Sequence, residues 1–199
     1  EGGVLVDAQC RTSDPDILAA GDVAVAPNPW AGRSLRLESW QNAQEQGMAA
    51  ARSALGQAVD YQPLPWFWSD QYDVKLQIAG LPFDADRQVV RGDPTGGAFA
   101  VFHLNGDRIV CVEAVNAPAE FMGGRLLIGK ATPVDAGLLA DPATSIKAVA
   151  KPGLSGLAMK RTRASARAWR WRSAWPGSAP PRCGSGARAG WAAGAALAT

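Results

Sequence analysis

The spacing of hydrophobic and polar residues predicts two strands and one helix in the first 60 residues. A short apolar run covers residues 4–6, and a second run at 17–20 ends in Gly21-Asp22, which predicts a buried strand closed by a glycine. Residues 41–55 have small side chains on one face, which predicts a helix that packs closely on a flat surface. The small residues on that face are Ala43, Gly47, Ala50, Ala51 and Ala54.

The pattern from residue 61 to residue 149 is that of antiparallel strands followed by helices. Strands are predicted at 72–78, 87–91, 98–104 and 108–115, where apolar residues alternate with polar ones or form short runs. Asn105-Gly106 separates the last two and is a strong signal for a hairpin turn. Helical segments are predicted at 118–129, opened by Pro118, and at 135–140.

These patterns divide the chain into three segments. Residues 1–60 offer too few elements to enclose a core, so we expect them to be the closing part of a larger α/β domain. Residues 61–149 are predicted to fold as a separate α+β domain, with an antiparallel sheet and helices on one face. Residues 150–199 match neither pattern and form a third segment.

Charge separates this last segment from the rest. Residues 151–199 hold nine lysines and arginines and no acid, whereas residues 1–150 hold the other 11 basic residues and all 18 acidic ones, a net charge of −7. Three origins remain open: a GC-rich gene translated out of frame, a disordered functional tail and a folded element. We expect disorder. Trp169, Trp171 and Trp175 between arginines would suit stacking on nucleic acid bases, but nucleic acid is not a predicted partner.

Several classes of site are not indicated by the sequence. Cys10, Cys111 and Cys183 have neither C-x-x-C nor metal-ligand spacing, so we expect reduced thiols and a cytoplasmic protein. His103 is the single histidine, lies in a predicted strand and is expected to be structural. No run approaches the roughly 18 apolar residues of a membrane-spanning helix. We therefore predict no catalytic residue, no metal ligand and no membrane partner.

Asp22 and the start of the first helix are the candidate ligand contacts. A carboxylate beside a glycine can accept a hydrogen bond from a ligand hydroxyl, although capping a turn is the simpler role. Glu38-Ser39-Trp40 opens the helix, whose N-terminus offers unpaired N–H groups and a positive dipole end; an ordinary N-cap at Ser39 is compatible with this. In an extended segment Trp66 and Trp68 share one side, which suits an interface between domains.

Three motifs together resemble the oxygenase-coupled NAD(P)H–ferredoxin reductases of the putidaredoxin reductase type. They are Gly21-Asp22, Glu38-Ser39-Trp40 and the run WFWSDQYD at residues 66–73, and the resemblance extends to about residue 149. It implies the remnant of a flavoprotein with two dinucleotide-binding domains, followed by a small C-terminal domain of antiparallel sheet and helices. The Gly-rich fingerprints for FAD and the nicotinamide cofactor are missing, which predicts truncation at the N-terminus.

The resemblance also implies a partial FAD site and a redox partner. Its cofactor contacts would be Gly21, Asp22, Glu38, Ser39, Trp40 and Trp68. In the full-length relative, electrons pass from NAD(P)H through FAD to a [2Fe–2S] ferredoxin that feeds an oxygenase. We expect the chain alone to be inactive, because the NAD(P)H site is absent. Two alternatives stay open: a non-catalytic docking module formed by the C-terminal domain, and a pseudogene-like product without function.

Overall fold

The computed structural model describes residues 2–151, so the predictions for residues 152–199 lie outside the described part of the chain. The elements within that range, in chain order, are β1 (Val4–Leu5), β2 (Ala24–Asn28), β3 (Arg33–Leu35), α1 (Trp40–Ala54), β4 (Trp66–Gln71), β5 (Val74–Gly80), β6 (Arg87–Asp93), β7 (Ala98–Asn105), β8 (Arg108–Val115), α2 (Pro118–Gly129) and α3 (Ala136–Ala140). None of the helices described is both long and apolar enough to cross a bilayer.

A small sheet of order β1-β2-β3 precedes α1. Strand β1 runs parallel to β2, and β2 runs antiparallel to β3. The buried strand predicted at residues 17–20 is wrong, because this segment forms only one bridge, between Leu18 and Arg11, and Ile17 is 54% exposed. Its backbone instead closes a loop in which the Ala19 N–H donates to the Cys10 carbonyl. The buried strand is β2, which follows Gly21-Asp22, since a short apolar run does not identify a strand by itself.

The predicted helix is confirmed, and the close packing predicted for its small-residue face remains a prediction. Within residues 2–151, Ala43, Ala51 and Ala54 are exposed, and Ala43 Cβ lies 3.4 Å from the position of a Cβ on Gly21. The face that α1 buries carries amides instead. Its buried residues are Gln41, Asn42, Gln46, Ala49 and Ser53. Hydrogen bonds of these amide side chains orient the helix. The sequence argument considered only side-chain size and therefore did not predict these bonds.

The second sheet contains five antiparallel strands in the order β4-β5-β8-β7-β6. The four strands, the Asn105-Gly106 hairpin and both helices predicted for this region are confirmed. Helix α2 packs very closely on one face of the sheet, because a Cβ on Gly124 would lie 2.9 Å from Val112 Cγ1 and 3.1 Å from Phe102 Cε1. The core that results includes Ala79, Phe102, Leu104, Val112, Phe121, Leu139 and Val149.

A buried arginine links the edge strand β6 to the C-terminal segment. The guanidinium of Arg91 is 4% exposed and donates to the carbonyls of Leu139, Asp141 and Thr144. Its Nε lies 3.0 Å from Glu120 Oε2 on α2. Because a planar guanidinium presents several donors in a fixed fork, one buried side chain can hydrogen-bond three carbonyls at once.

We expect Arg91→Met to destabilise the protein by about 3–5 kcal/mol, because it leaves Glu120 and the three carbonyls unpaired. Arg87→Met is the matched control on the same strand. Arg87 is exposed and donates one hydrogen bond to the Gly106 carbonyl, so its loss should cost about 1 kcal/mol or less. Urea denaturation of both variants measures the difference, and equal costs would contradict the role given to Arg91.

The domain boundary predicted near residue 61 remains a prediction. It has a structural argument, since the second sheet, α2 and α3 share one core and Lys151 ties the end of the segment to the Pro133 carbonyl and to Asp107. We expect residues 61–151, expressed alone, to unfold cooperatively and to give dispersed amide NMR signals. An unstructured spectrum would show that residues 1–60 are needed for folding.

Candidate functional site at the start of helix α1

Helix α1 begins with a side-chain cap that leaves two backbone donors free. Ser39 has extended φ and ψ of −148° and 149°, and its Oγ accepts a hydrogen bond of 3.2 Å from the Asn42 N–H. The N–H groups of Trp40 and Gln41 belong to the first turn and have no acceptor within the helix. The positive end of the helix dipole adds to their attraction for negative charge. The cap at Ser39 is thus confirmed, and it leaves room for a ligand contact.

An aromatic cluster joins this helix start to the five-stranded sheet. Trp40 meets Trp68 edge-to-face, with ring centroids 5.6 Å apart and planes at 78°. Trp68 stacks on Trp66 at 5.2 Å and 27°, and Trp66 lies 6.2 Å from Phe121. The guanidinium of Arg125 covers the ring of Trp66 at 5.1 Å. We call Trp40, Trp66, Trp68, Phe121 and Arg125 the aromatic cluster.

The aromatic cluster runs from the surface to the core. Trp40 is 63% exposed and Trp68 36% exposed, whereas Phe121 is only 2% exposed. The sequence prediction that Trp66 and Trp68 share one side of an extended segment is confirmed, since they stack on each other. The structure therefore brings together two of the predicted site residues, Trp40 and Trp68, and gives them a rigid support.

The predicted carboxylate, Asp22, lies in a 3-10 turn at Gly21–Val23 beside the first half of α1. Gly21 is buried with a φ of +77°, a conformation that glycine adopts readily, and its N–H donates to Gln46 Oε1 at 2.8 Å. Asp22 itself is exposed. The turn is thus fixed against the helix, while the carboxylate remains accessible.

Gln46 is the centre of a buried amide network that positions these elements. Its side chain is 1% exposed, and Oε1 also accepts from Asn42 Nδ2 at 3.4 Å. Asn42 Nδ2 donates in turn to the Leu37 carbonyl at 2.9 Å, and Asn42 Oδ1 accepts from the Tyr61 hydroxyl at 3.2 Å. Burial and the nearby Glu45 raise the pKa of Tyr61, so the hydroxyl stays a donor.

Glu38, also a predicted site residue, points elsewhere. Its carboxylate pairs with Arg36 at 2.5 Å, and both side chains are exposed. Such a pair contributes little, because solvent screens the attraction. Its contribution to a ligand site would therefore come from the backbone at the helix start. A surface depression of about 310 Å³ lies on the β2–β3 hairpin, lined by Pro29, Arg33 and Gln62 among others, and shares no residue with the aromatic cluster.

Three residues that support the site were missed in the sequence. Phe121 and Arg125 are four residues apart on α2, a spacing that places both on one helix face toward Trp66. Gln46 follows Asn42 by the same spacing, so paired amides inside a small-residue helix were an available signal. In each case the i, i+4 relation is visible in the sequence, but the partner on the other element is not.

Two family models match this chain, one over the small sheet and the first half of α1 and the other over the five-stranded sheet and its helices. Residues 1–47 match the pyridine nucleotide-disulphide oxidoreductases, and residues 66–150 match the reductase C-terminal family. A solved structure of the covalent putidaredoxin reductase–putidaredoxin complex superposes with a TM-score of 0.68 at 38% identity, over 74% of this chain and 35% of that one. In sequence and fold the chain corresponds to the C-terminal portion of ferredoxin reductases of the putidaredoxin reductase type.

Curated relatives agree with this membership. The ferredoxin–NAD(+) reductase component of the anthranilate 1,2-dioxygenase system of Burkholderia cepacia is 47% identical over 148 residues, 74% of this chain and 36% of the relative. Putidaredoxin reductase of Pseudomonas putida is 39% identical over 158 residues, 78% and 37% respectively. The chain thus spans about a third of the length of these relatives. The family consists of oxidoreductases that bind FAD and NAD(P)H.

In this reductase portion we expect Gln46→Leu to cost about 1–3 kcal/mol, because the buried Gly21 N–H loses its acceptor. Gln44→Leu, at an exposed position of the same helix, should change stability by at most about 0.5 kcal/mol. Chemical denaturation measures both. Hydrogen exchange at the Gly21 amide should accelerate only in the Gln46 variant, and unchanged protection there would show that another group holds the turn.

Proposed function

We propose that this chain supplies the ribityl and ring half of an FAD site in an NAD(P)H–ferredoxin reductase. In the assembled enzyme, electrons would pass from NAD(P)H through FAD to a [2Fe–2S] ferredoxin that serves an oxygenase. The observation that carries the proposal is the meeting of Trp40 and Trp68 at the N-terminus of α1, beside the Gly21–Asp22 turn. Homology to reductase components of dioxygenase and cytochrome P450 systems supports it.

The residues at the helix start fit a flavin. The N–H groups of Trp40 and Gln41 have no helical acceptor and would face the edge of the ring that becomes negative on reduction. The exposed Asp22 carboxylate would accept a hydrogen bond from a ribityl hydroxyl, and the glycine before it allows close backbone approach. Trp68 would contact the ring edge. These roles cover Gly21, Asp22, Trp40 and Trp68 of the predicted cofactor residues; Ser39 would act as the helix cap and Glu38 through its backbone alone.

A bound flavin would supply the conversion of a two-electron hydride donor into single-electron steps. The chain's own contribution is electrostatic and steric. The dipole of α1 stabilises negative charge near its first turn, which would favour the reduced cofactor. Trp66 and Trp68, stacked at 5.2 Å, would shield one side of a bound ring from water and would lie between that ring and the surface.

The ferredoxin partner would approach along β4. This strand lies at one edge of the five-stranded sheet, and Phe67 and Trp68 are 39% and 36% exposed there. The homologous putidaredoxin reductase has been crystallised in a covalent complex with putidaredoxin. We also infer a cytoplasmic location, supported by the free, buried thiols of Cys10 and Cys111.

A docking module without catalysis is the second candidate. It is favoured by one observation, that the five-stranded sheet and its helices have a core of their own. The two functions differ in whether residues 1–60 contribute to activity. A docking module would bind ferredoxin through residues 61–151 without any contribution from Asp22 or the start of α1.

We expect the purified chain to be colourless and unable to oxidise NADH or NADPH with added FAD. The pyrophosphate of FAD is held in dinucleotide folds by a Gly-rich turn, and its loss forfeits several charge-assisted hydrogen bonds, each worth about 1.5–3 kcal/mol. Losing two of them weakens binding roughly a hundred-fold or more. Stoichiometric flavin on the isolated chain would overturn the half-site proposal.

Fusing the chain to the N-terminal part of the Burkholderia relative, which it lacks, should give a yellow protein that reduces ferredoxin. In that fusion Asp22→Ala should raise the Kd for FAD about 10- to 100-fold, the value of one charge-assisted hydrogen bond. Asp16→Ala, an exposed aspartate in the preceding loop, is the matched control and should leave the Kd unchanged. Equal Kd values for the two variants would contradict the role proposed for Asp22.

A further inference from the structure

Three metal-binding side chains converge on the face of the five-stranded sheet opposite α2. His103 on β7 and Cys111 on β8 are register partners, and Glu113 follows two residues later on the same face of β8. One ligand atom from each of the three lies within 4.8 Å of the other two. The neighbouring pair Phe102 and Val112 points to the opposite face, into the core under α2.

The histidine in this cluster has an unsatisfied nitrogen. His103 is 6% exposed, and its Nε2 is buried without a hydrogen-bond partner. Glu113 Oε1 lies 3.6 Å away, beyond hydrogen-bond distance. Native proteins leave few buried polar atoms unpaired, so we expect this nitrogen to have a hydrogen-bond or metal partner. Its position between a thiol and a carboxylate indicates what kind of partner fits.

We propose that His103, Cys111 and Glu113 form a binding site for a borderline-soft divalent cation, for which Zn²⁺ is the best match. Thiolate, imidazole and carboxylate are the ligands that Zn²⁺ uses, whereas Mg²⁺ and Ca²⁺ require several oxygen ligands. In a tetrahedral zinc site, neighbouring ligand atoms lie roughly 3.3–3.7 Å apart, as metal–ligand distances of 2.0–2.3 Å require. The distance of 3.6 Å between His103 and Glu113 already fits this geometry.

Two of the three side chains are buried, Cys111 at 0% and His103 at 6% exposure, and Glu113 is the one that reaches solvent. The Glu113 side chain is 40% exposed, so it can close onto a cation that arrives from solvent and leave the fourth position to water. His103 Nδ1 lies 3.4 Å from Gln88 Nε2, and Gln88 is exposed. Rotation of that amide lets its oxygen accept a hydrogen bond from Nδ1–H. The lone pair of Nε2 then faces the metal, an arrangement typical of metal-bound histidines.

The sequence has no motif of closely spaced metal ligands that would predict this site. His103 and Cys111 are eight residues apart, and they meet because the hairpin turn brings β7 and β8 into register. A metal ion here would link β7 and β8 through their side chains, in addition to the backbone hydrogen bonds between the two strands. The proposed flavin site assigns no role to these three metal ligands. Each of the two proposals can therefore be tested without the other.

Titration of the full 199-residue chain with Co²⁺ tests the proposal, because tetrahedral Co²⁺ with a thiolate ligand has intense visible bands and a near-ultraviolet charge-transfer band. We expect one equivalent to bind with both features, and Zn²⁺ to displace it. Cys111→Ala should abolish the charge-transfer band, and Glu113→Gln should weaken Co²⁺ binding at least tenfold. Cys10→Ala, which removes the other buried thiol, is the matched control and should leave the titration unchanged.

Thermal unfolding supplies a second measurement. Zn²⁺ should raise the Tm of the wild-type chain and of Cys10→Ala, but not that of Cys111→Ala, because only a ligand bound to the folded state stabilises it. Circular dichroism of the metal-free variants establishes that they fold; Glu113→Gln, at a half-exposed position, provides the same test if Cys111→Ala does not. A charge-transfer band that persists in Cys111→Ala, or no thiolate band in the wild type, would overturn the site.

Discussion

The contact between Trp40 and Trp68 connects the two parts of this molecule that the proposed function needs together. Trp40 belongs to the first turn of α1, whereas Trp68 belongs to an edge strand of the five-stranded sheet. An edge-to-face pair of this kind is worth about 0.5–1.5 kcal/mol beyond the area it buries. That is modest for two rings with large exposed fractions. The elements that carry the two rings are each held by further contacts of their own.

On the helix side, amide hydrogen bonds provide this support. Gln46 accepts from the Gly21 N–H, and Asn42 reaches both the Leu37 carbonyl and the Tyr61 hydroxyl, so the turn, the helix start and the following segment are connected. On the sheet side, packing provides it. Trp66 lies between Trp68 and Phe121 under the guanidinium of Arg125, and α2 sits close to the sheet because Gly124 has no side chain.

The sequence was most informative where a local pattern determines the structure. Alternation located β5 and β8, Asn105-Gly106 located the hairpin, and Pro118 located the start of α2 almost to the residue. It was misleading at residues 17–20, because four small or apolar residues can line a loop as well as a strand. The close packing predicted for the small-residue face of α1 remains a prediction, because Ala43, Ala51 and Ala54 are exposed within residues 2–151 and the chain spans only about a third of its relatives' length.

The candidate site shows the same division. Ser39 as an N-cap and the shared side of Trp66 and Trp68 follow from local geometry and could be predicted. The edge-to-face pair and the Gln46 network depend on which distant elements meet, which no short motif encodes. The resemblance to a known family supplied what periodicity could not, the expectation that Gly21-Asp22 and Glu38-Ser39-Trp40 serve one ligand.

The arrangement of supports also bears on how a flavin would bind. Gly21, Ser39 and Trp68 are held by hydrogen bonds and stacking within this chain. Such a surface is ordered before binding, so a flavin placed on it would lose little affinity to the ordering of protein groups. Under the proposed flavin site, the contact that residues 2–151 would not supply is the one to the pyrophosphate. Adding the complementary part of a relative would then complete the site without a refolding of this part.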